Sequence, residues 1–139
     1  MQRFRDSQTW FIIFSRSLNP RWYSRLLHKD FQHVHLWRAT GEGSLAVNQL
    51  SHCLAIRHVP DSIESIIEQE LAYKPTAVLV HTVHYSSHYK LLHPEIHTCI
   101  STVKRILCMR GMFFTPKGLY KELLKAGAEA IKAWTVPHM

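Results

Sequence analysis

Long hydrophobic runs are missing from this chain. Nothing approaches the roughly 20 apolar residues that a membrane-crossing helix needs. The best run near the start, Trp10-Phe11-Ile12-Ile13-Phe14, is too short for the core of an export signal. The sequence therefore predicts no membrane span and no export, and places the chain in the cytoplasm of the producing cell. Cysteine is scarce too. Cys53, Cys99 and Cys108 are odd in number and lack paired spacing, which excludes a disulfide framework and fits a reducing compartment. There is no internal repeat, no low-complexity segment and no run of Lys or Arg longer than two, so the basic residues form a scattered surface and not a dense cationic tract.

What is present is the composition of one globular domain. Hydrophobic residues make up 46% and charged residues 19% of the 139 positions, enough to bury a core. The net charge of +7 is weighted to the start, where Arg3, Arg5, Arg16, Arg21, Arg25, Lys29 and Arg38 are opposed only by Asp6 and Asp30. Such a balance suits nucleic acid, an acidic membrane surface or an acidic protein, and equally a solvated face, so nucleic acid is a secondary partner. Trp22, Trp37 and Phe113 read as interior anchors.

Taken in order, residues 1–8 read as a flexible arm and Trp10–Phe14 as a buried strand. Asn19-Pro20 opens a helix that ends near Asp30. Gln32–Arg38 alternates as a strand, with His33, His35 and Trp37 on one face and Val34 and Leu36 on the other. Thr40-Gly41-Glu42-Gly43 makes the hairpin turn, and strands over Ser44–Gln49 and Cys53–His58 complete an antiparallel meander. Cys53 reads as a core residue. Ser62 precedes a helix whose Ile63, Ile66, Ile67 and Leu71 face inward and whose Glu64, Glu68 and Glu70 face outward. Lys74-Pro75 stops it, Thr76–Val80 is a buried strand, and Tyr85–His93 is a loop.

Thr98 then caps an amphipathic helix opening at Cys99, with Ile100, Val103, Ile106 and Leu107 buried, Lys104 and Arg105 outward and Gly111 at its end. Thr115-Pro116 starts a last helix that runs toward Trp134, leaving residues 127–139 as helix end and tail. The expected fold is α+β, an antiparallel meander packed against the Cys-bearing helix.

At the first position of a helix, free amides and the positive end of the dipole favour a thiolate, which makes Cys99 a candidate nucleophile. The plainer reading is a small core residue. A cysteine nucleophile needs a base, and the base an orienting group. His33 is the first candidate base and His35 the second. A hairpin turning at Thr40–Gly43 sets Asn48 across from His35, with His33 two residues along on the same face, so the Asn48 amide can orient either ring.

The sequence order of a strand-borne His in Phe31-Gln32-His33-Val34, a polar residue on the next strand and a helix beginning Cys99-Ile100-Ser101-Thr102-Val103-Lys104 resembles the circularly permuted papain-like hydrolases of the NlpC type and the lecithin:retinol acyltransferase group. The Cys99–Leu107 stretch, followed by Thr115-Pro116-Lys117-Gly118-Leu119-Tyr120, is similar to small proteobacterial and tailed-phage proteins. Thr102 stands where many members carry an aromatic residue. The resemblance implies a permuted papain-like fold and a thiol hydrolase acting on an amide or ester bond of a peptide or cell-wall type substrate. Cys99, His33 and Asn48 would be its catalytic residues, and no cofactor is involved. The alternative is a non-catalytic component of a phage particle that docks onto other virion proteins.

Eleven histidines also raise the question of a metal. His81, His84 and His88, with Cys99, are ligand types that zinc accepts, but neither helical nor hairpin spacing gathers them, so no metal site is expected.

Overall fold

The computed structural model describes residues 7–16, 30–49, 53–84, 99–109 and 115–131. These residues form an antiparallel six-stranded sheet in the order β4-β3-β2-β1-β5-β6. The strands are β1 (Ser7–Ser15), β2 (His33–Thr40), β3 (Gly43–Gln49), β4 (Leu54–Val59), β5 (Ala77–His84) and β6 (Glu129–Ala130). Three helices accompany them, α1 (Ile63–Ala72), α2 (Cys99–Ile106) and α3 (Pro116–Lys125). The architecture is α+β.

The central strand β1 dictates the layering. Every residue from Trp10 to Phe14 is buried, so both faces of the strand need an apolar cover. Trp10, Ile12 and Phe14 meet Val34, Leu36, Val47 and Leu79 of the sheet, then Ile100, Val103 and Leu107 of the α2 segment and Leu119 and Leu123 of α3. Phe11 and Ile13 point the other way, to Trp37, Ala46, Val78 and the α1 residues Ile63, Ile66 and Ile67. Each such side chain contributes about 1.5–3 kcal/mol when fully buried. The sheet is thus the middle layer, with α1 on one face and α2 and α3 on the other.

The meander β1-β2-β3-β4 forms as the alternation predicts. The β2–β3 register runs from Leu36↔Val47 to Thr40↔Gly43, as a turn at Gly41-Glu42 requires. Gly43 has φ 154°, and a Cβ there would lie 2.1 Å from the Val59 carbonyl oxygen and 2.9 Å from Pro60 Cα. The end of β4 therefore lies against a position where only glycine fits. α1 starts as expected at Ser62, whose hydroxyl accepts the Ser65 amide, and α3 at Thr115, whose hydroxyl accepts the Gly118 amide.

Several expectations need correcting. The last helix does not continue toward Trp134. It stops at Lys125, Gly127 turns left-handed at φ 97°, and the Ala128 amide bonds back to the Leu123 carbonyl, a Schellman ending that sends the chain into β6. α2 ends the same way without a glycine. Cys108 takes φ 54° and the Met109 amide bonds the Lys104 carbonyl, so Cys108 lies beyond the helix and Gly111 outside the described residues.

Lys104, expected outward, is buried, as are Ser101 and Thr102. Thr102 donates its hydroxyl to Gln49 Oε1 at 2.8 Å, so the contact of this short helix with the sheet extends beyond its apolar stripe. Cys53 precedes β4 and is exposed, because β4 is the outermost strand. Ser7 and Gln8 belong to β1, paired with His84 and Val83, and β5 continues past Val80 to His84. The expected helix after Pro20, the loop Tyr85–His93, the cap Thr98, Trp22, His88 and Phe113 lie outside the described residues. Among the described residues no helix is long and apolar enough to cross a membrane.

Gly43→Ala is expected to destabilise the fold by about 2–3 kcal/mol, because a backbone atom of β4 must move to admit the methyl group. Urea unfolding of the two chains measures this, and an unchanged midpoint would contradict the close approach.

Candidate functional site

Strand alternation decides what the polar residues of β2 can reach. Val34 and Leu36 face α2 and α3, so His33, His35 and Trp37 face α1. Continued by one pair, the β2–β3 register sets Asn48 across from His35, and the His33 ring reaches diagonally to it. His33 Nε2 lies 2.8 Å from Asn48 Oδ1. The amide oxygen can only accept, so Nε2 carries the proton and Nδ1 keeps its lone pair. The two imidazoles stack with centroids 6.0 Å apart.

A carboxylate completes the group. Glu70 Oε1 accepts from the indole Nε1–H of Trp37 at 3.0 Å and lies 3.1 Å from His35 Nε2. Glu70 was expected on the outer face of α1 and is instead turned to the sheet. The signal was present in the sequence, since Glu70 continues the stripe of Ile63, Ile66 and Ile67 by one further turn.

The electrostatics follow from burial and these bonds. Burial pushes the His33 pKa below 6.5, and the neighbouring His35 charge adds to this, against the bond to Asn48 that favours the charged ring. His33 is therefore neutral near pH 7. For Glu70 burial acts upward, but the bond from His35, its charge and the Trp37 indole together hold the carboxyl below its ordinary range. The site is a neutral imidazole with a free Nδ1 beside an imidazole–carboxylate pair, a set that can accept and pass a proton.

Of the three expected catalytic residues, His33 and Asn48 are brought together. Cys99 is the first residue of α2, and α2 packs on the opposite face of the sheet through Ile100, Val103 and Leu107. The sheet thus stands between the body of this helix and the histidine pair. The other two thiols have simpler surroundings. Cys53 is exposed, and the partly covered Cys108 has its pKa raised by burial.

His81 also has its pKa lowered by burial and His84 is exposed. Among the described residues no three His, Cys, Asp or Glu side chains gather in a way that could hold a metal ion. Comparison with protein-family models, with curated proteins and with solved structures finds no match.

Because folding lowers the pKa of both His33 and Glu70, the unfolded chain takes up more protons in acid, and stability falls with pH. The His33 contribution is present above 6.5 and is lost as the pH falls through its lower folded value. The Glu70 contribution is present above 4.5 and is lost at more acid pH. Urea midpoints measured from about pH 7 down to about pH 5 should decline for the wild type and decline less for His33→Gln. Glu70→Gln should cost about 1–2 kcal/mol at neutral pH, since a charged acceptor of two bonds is lost. A Glu70→Gln midpoint equal to wild type would show that the carboxylate does not hold His35 and Trp37.

Proposed function

We propose that this chain is a non-catalytic structural protein that docks onto other proteins of a larger assembly, such as the phage particle suggested by the sequence resemblance. The observation that carries this reading is that α2 packs, through Ile100, Val103 and Leu107, on the face of the sheet away from which His33 and His35 turn. A thiol nucleophile needs its base within hydrogen-bond reach, about 2.6–3.2 Å and somewhat looser without substrate. The His33 ring, turned toward α1, gives its Nε2 to Asn48, while the cysteine belongs to the α2 layer.

The docking surface in this proposal is β4. Among the described residues it pairs only with β3, and it leaves Ile56 61% and Leu54 46% exposed. An outer strand with unmatched backbone groups and apolar side chains accepts a strand from another protein, the main chain supplying affinity and the side chains selectivity. The thiol-hydrolase reading rests on the His33–Asn48 bond, which is the orienting contact that a Cys–His–Asn site uses.

Alkylation by iodoacetamide from about pH 5 to about pH 9 separates the two readings, with exposed Cys53 as internal reference. For a docking protein, Cys99 should label along the titration of an ordinary thiol, near about 8.5, and identically in His33→Ala. Rapid labelling below neutral pH that drops in His33→Ala would establish the hydrolase instead. Hydrogen exchange tests the surface. Amides of Leu54–Val59 should gain protection in the native assembly relative to the isolated chain, and equal exchange in both would remove β4 from the interface.

A further inference from the structure

The ladder between β1 and β2 runs from Ser15↔His33 to Phe11↔Trp37 and stops there, although β1 reaches back to Ser7 and β2 forward to Thr40. Each strand stays attached to its outer neighbour. β1 remains paired with β5 as far as Ser7↔His84, and β2 with β3 as far as Thr40↔Gly43. The sheet therefore divides like a fork, and a cleft of about 420 Å³ opens between the prongs. Gln8, Arg38 and Thr40 border it from one face of the sheet, Thr9 and Phe11 from the other, and Gly41 lies at its end.

Arg38 is the distinctive member. Where the next ladder pair would fall, its guanidinium carbon sits 5.6 Å from the Trp10 ring centroid, a cation–π contact that fixes the side chain at the fork. Its Nε is sealed from solvent and has no hydrogen-bond partner, and no carboxylate among the described residues forms an ion pair with it. The exposed Arg16 is paired, with Asp30 at 2.7 Å, whereas Arg105 Nε is buried and unpartnered as well, so it is the neighbouring cleft that sets Arg38 apart. The sealed Nε–H is out of reach of the cleft, but Arg38 borders it, and a permanent cation with no counter-charge beside it among the described residues favours an anion there. The cleft hydroxyls are already engaged, Thr40 with His58 on the side of Arg38 and Thr9 with Thr82 on the other face of the sheet, so they hold the walls in place. Gln8 and Thr40 face each other on the same side of the sheet as Arg38, leaving the Gln8 amide free to add a donor.

We propose that this fork binds a small ligand bearing an oxyanion, a carboxylate or a phosphate, with Arg38 as its counter-charge. The site lies at the opposite end of β2 from His33 and does not depend on whether the chain is a docking protein or a hydrolase.

The test is an NMR titration of the full chain, following the Arg38 Nε–H signal, whose sealed proton exchanges slowly enough to be seen. Inorganic phosphate is added in one series and acetate in another, with chloride at matched ionic strength as the reference. A saturable shift with either anion is the expected result, and the anion that saturates first names the ligand group. Arg38→Gln should abolish saturation of the backbone amide shifts around the fork. Gly41→Glu is the second variant, chosen because nothing lies within 4 Å of a Cβ at that position. It places a competing carboxylate at the mouth of the cleft and should weaken binding about tenfold or more without disturbing the fold. Shifts that stay linear, that match chloride, or that are unchanged in Gly41→Glu would overturn the proposal.

Discussion

The two apolar faces of β1 are the constraint from which the rest of this structure follows. A strand that reads Trp-Phe-Ile-Ile-Phe has no side it can give to water, so it must lie inside the sheet and be covered above and below. β2 and β5 take its two edges, α1 takes the face of Phe11 and Ile13, and α2 with α3 take the face of Trp10, Ile12 and Phe14. Three layers are the only way to satisfy it.

That layering governs the polar chemistry as well. Once Val34 and Leu36 are committed to the α2 face, His33 and His35 have only the α1 face left, and the last turn of α1 brings Glu70 down onto His35 and Trp37. The same rule carries Arg38 to the side of Trp10, where the strands part. Two chemically distinct places therefore lie along one strand on opposite faces, an imidazole–carboxylate group near its start and a cation at its end.

Much of this was legible in the sequence. The hairpin at Thr40–Gly43 fixes the register, the register fixes which residues share a face, and the contact of His33 with Asn48 follows from both. What could not be read is which face each helix covers, because the apolar stripe of α2 fits either side of a sheet whose central strand is apolar on both. Glu70 escaped because a charged residue is ordinarily assigned to solvent even where it continues a buried stripe. The end of α2 escaped because Cys108, and no glycine, takes the left-handed turn. At the end of α3 the glycine was visible, but the apolar residues beyond Gly127 suggested a continuing helix. The pairing of Glu129 and Ala130 with β5 is too short to leave a periodic signal.

The pairing of β1 with β5 also bears on how the chain reaches this state. Thr9 and Thr82 touch although 73 positions separate them, whereas β2, β3 and β4 follow one another through short connections. On a ribosome the β1–β4 meander can assemble while one edge of the most apolar strand still waits for its partner. Closing that edge requires a long loop to be brought in against its entropy, so the step belongs to the slow end of small-domain folding. Until β5 emerges, Trp10 to Phe14 form an uncovered, sticky edge, and it is during synthesis, more than in the finished molecule, that this protein is most exposed to misassociation.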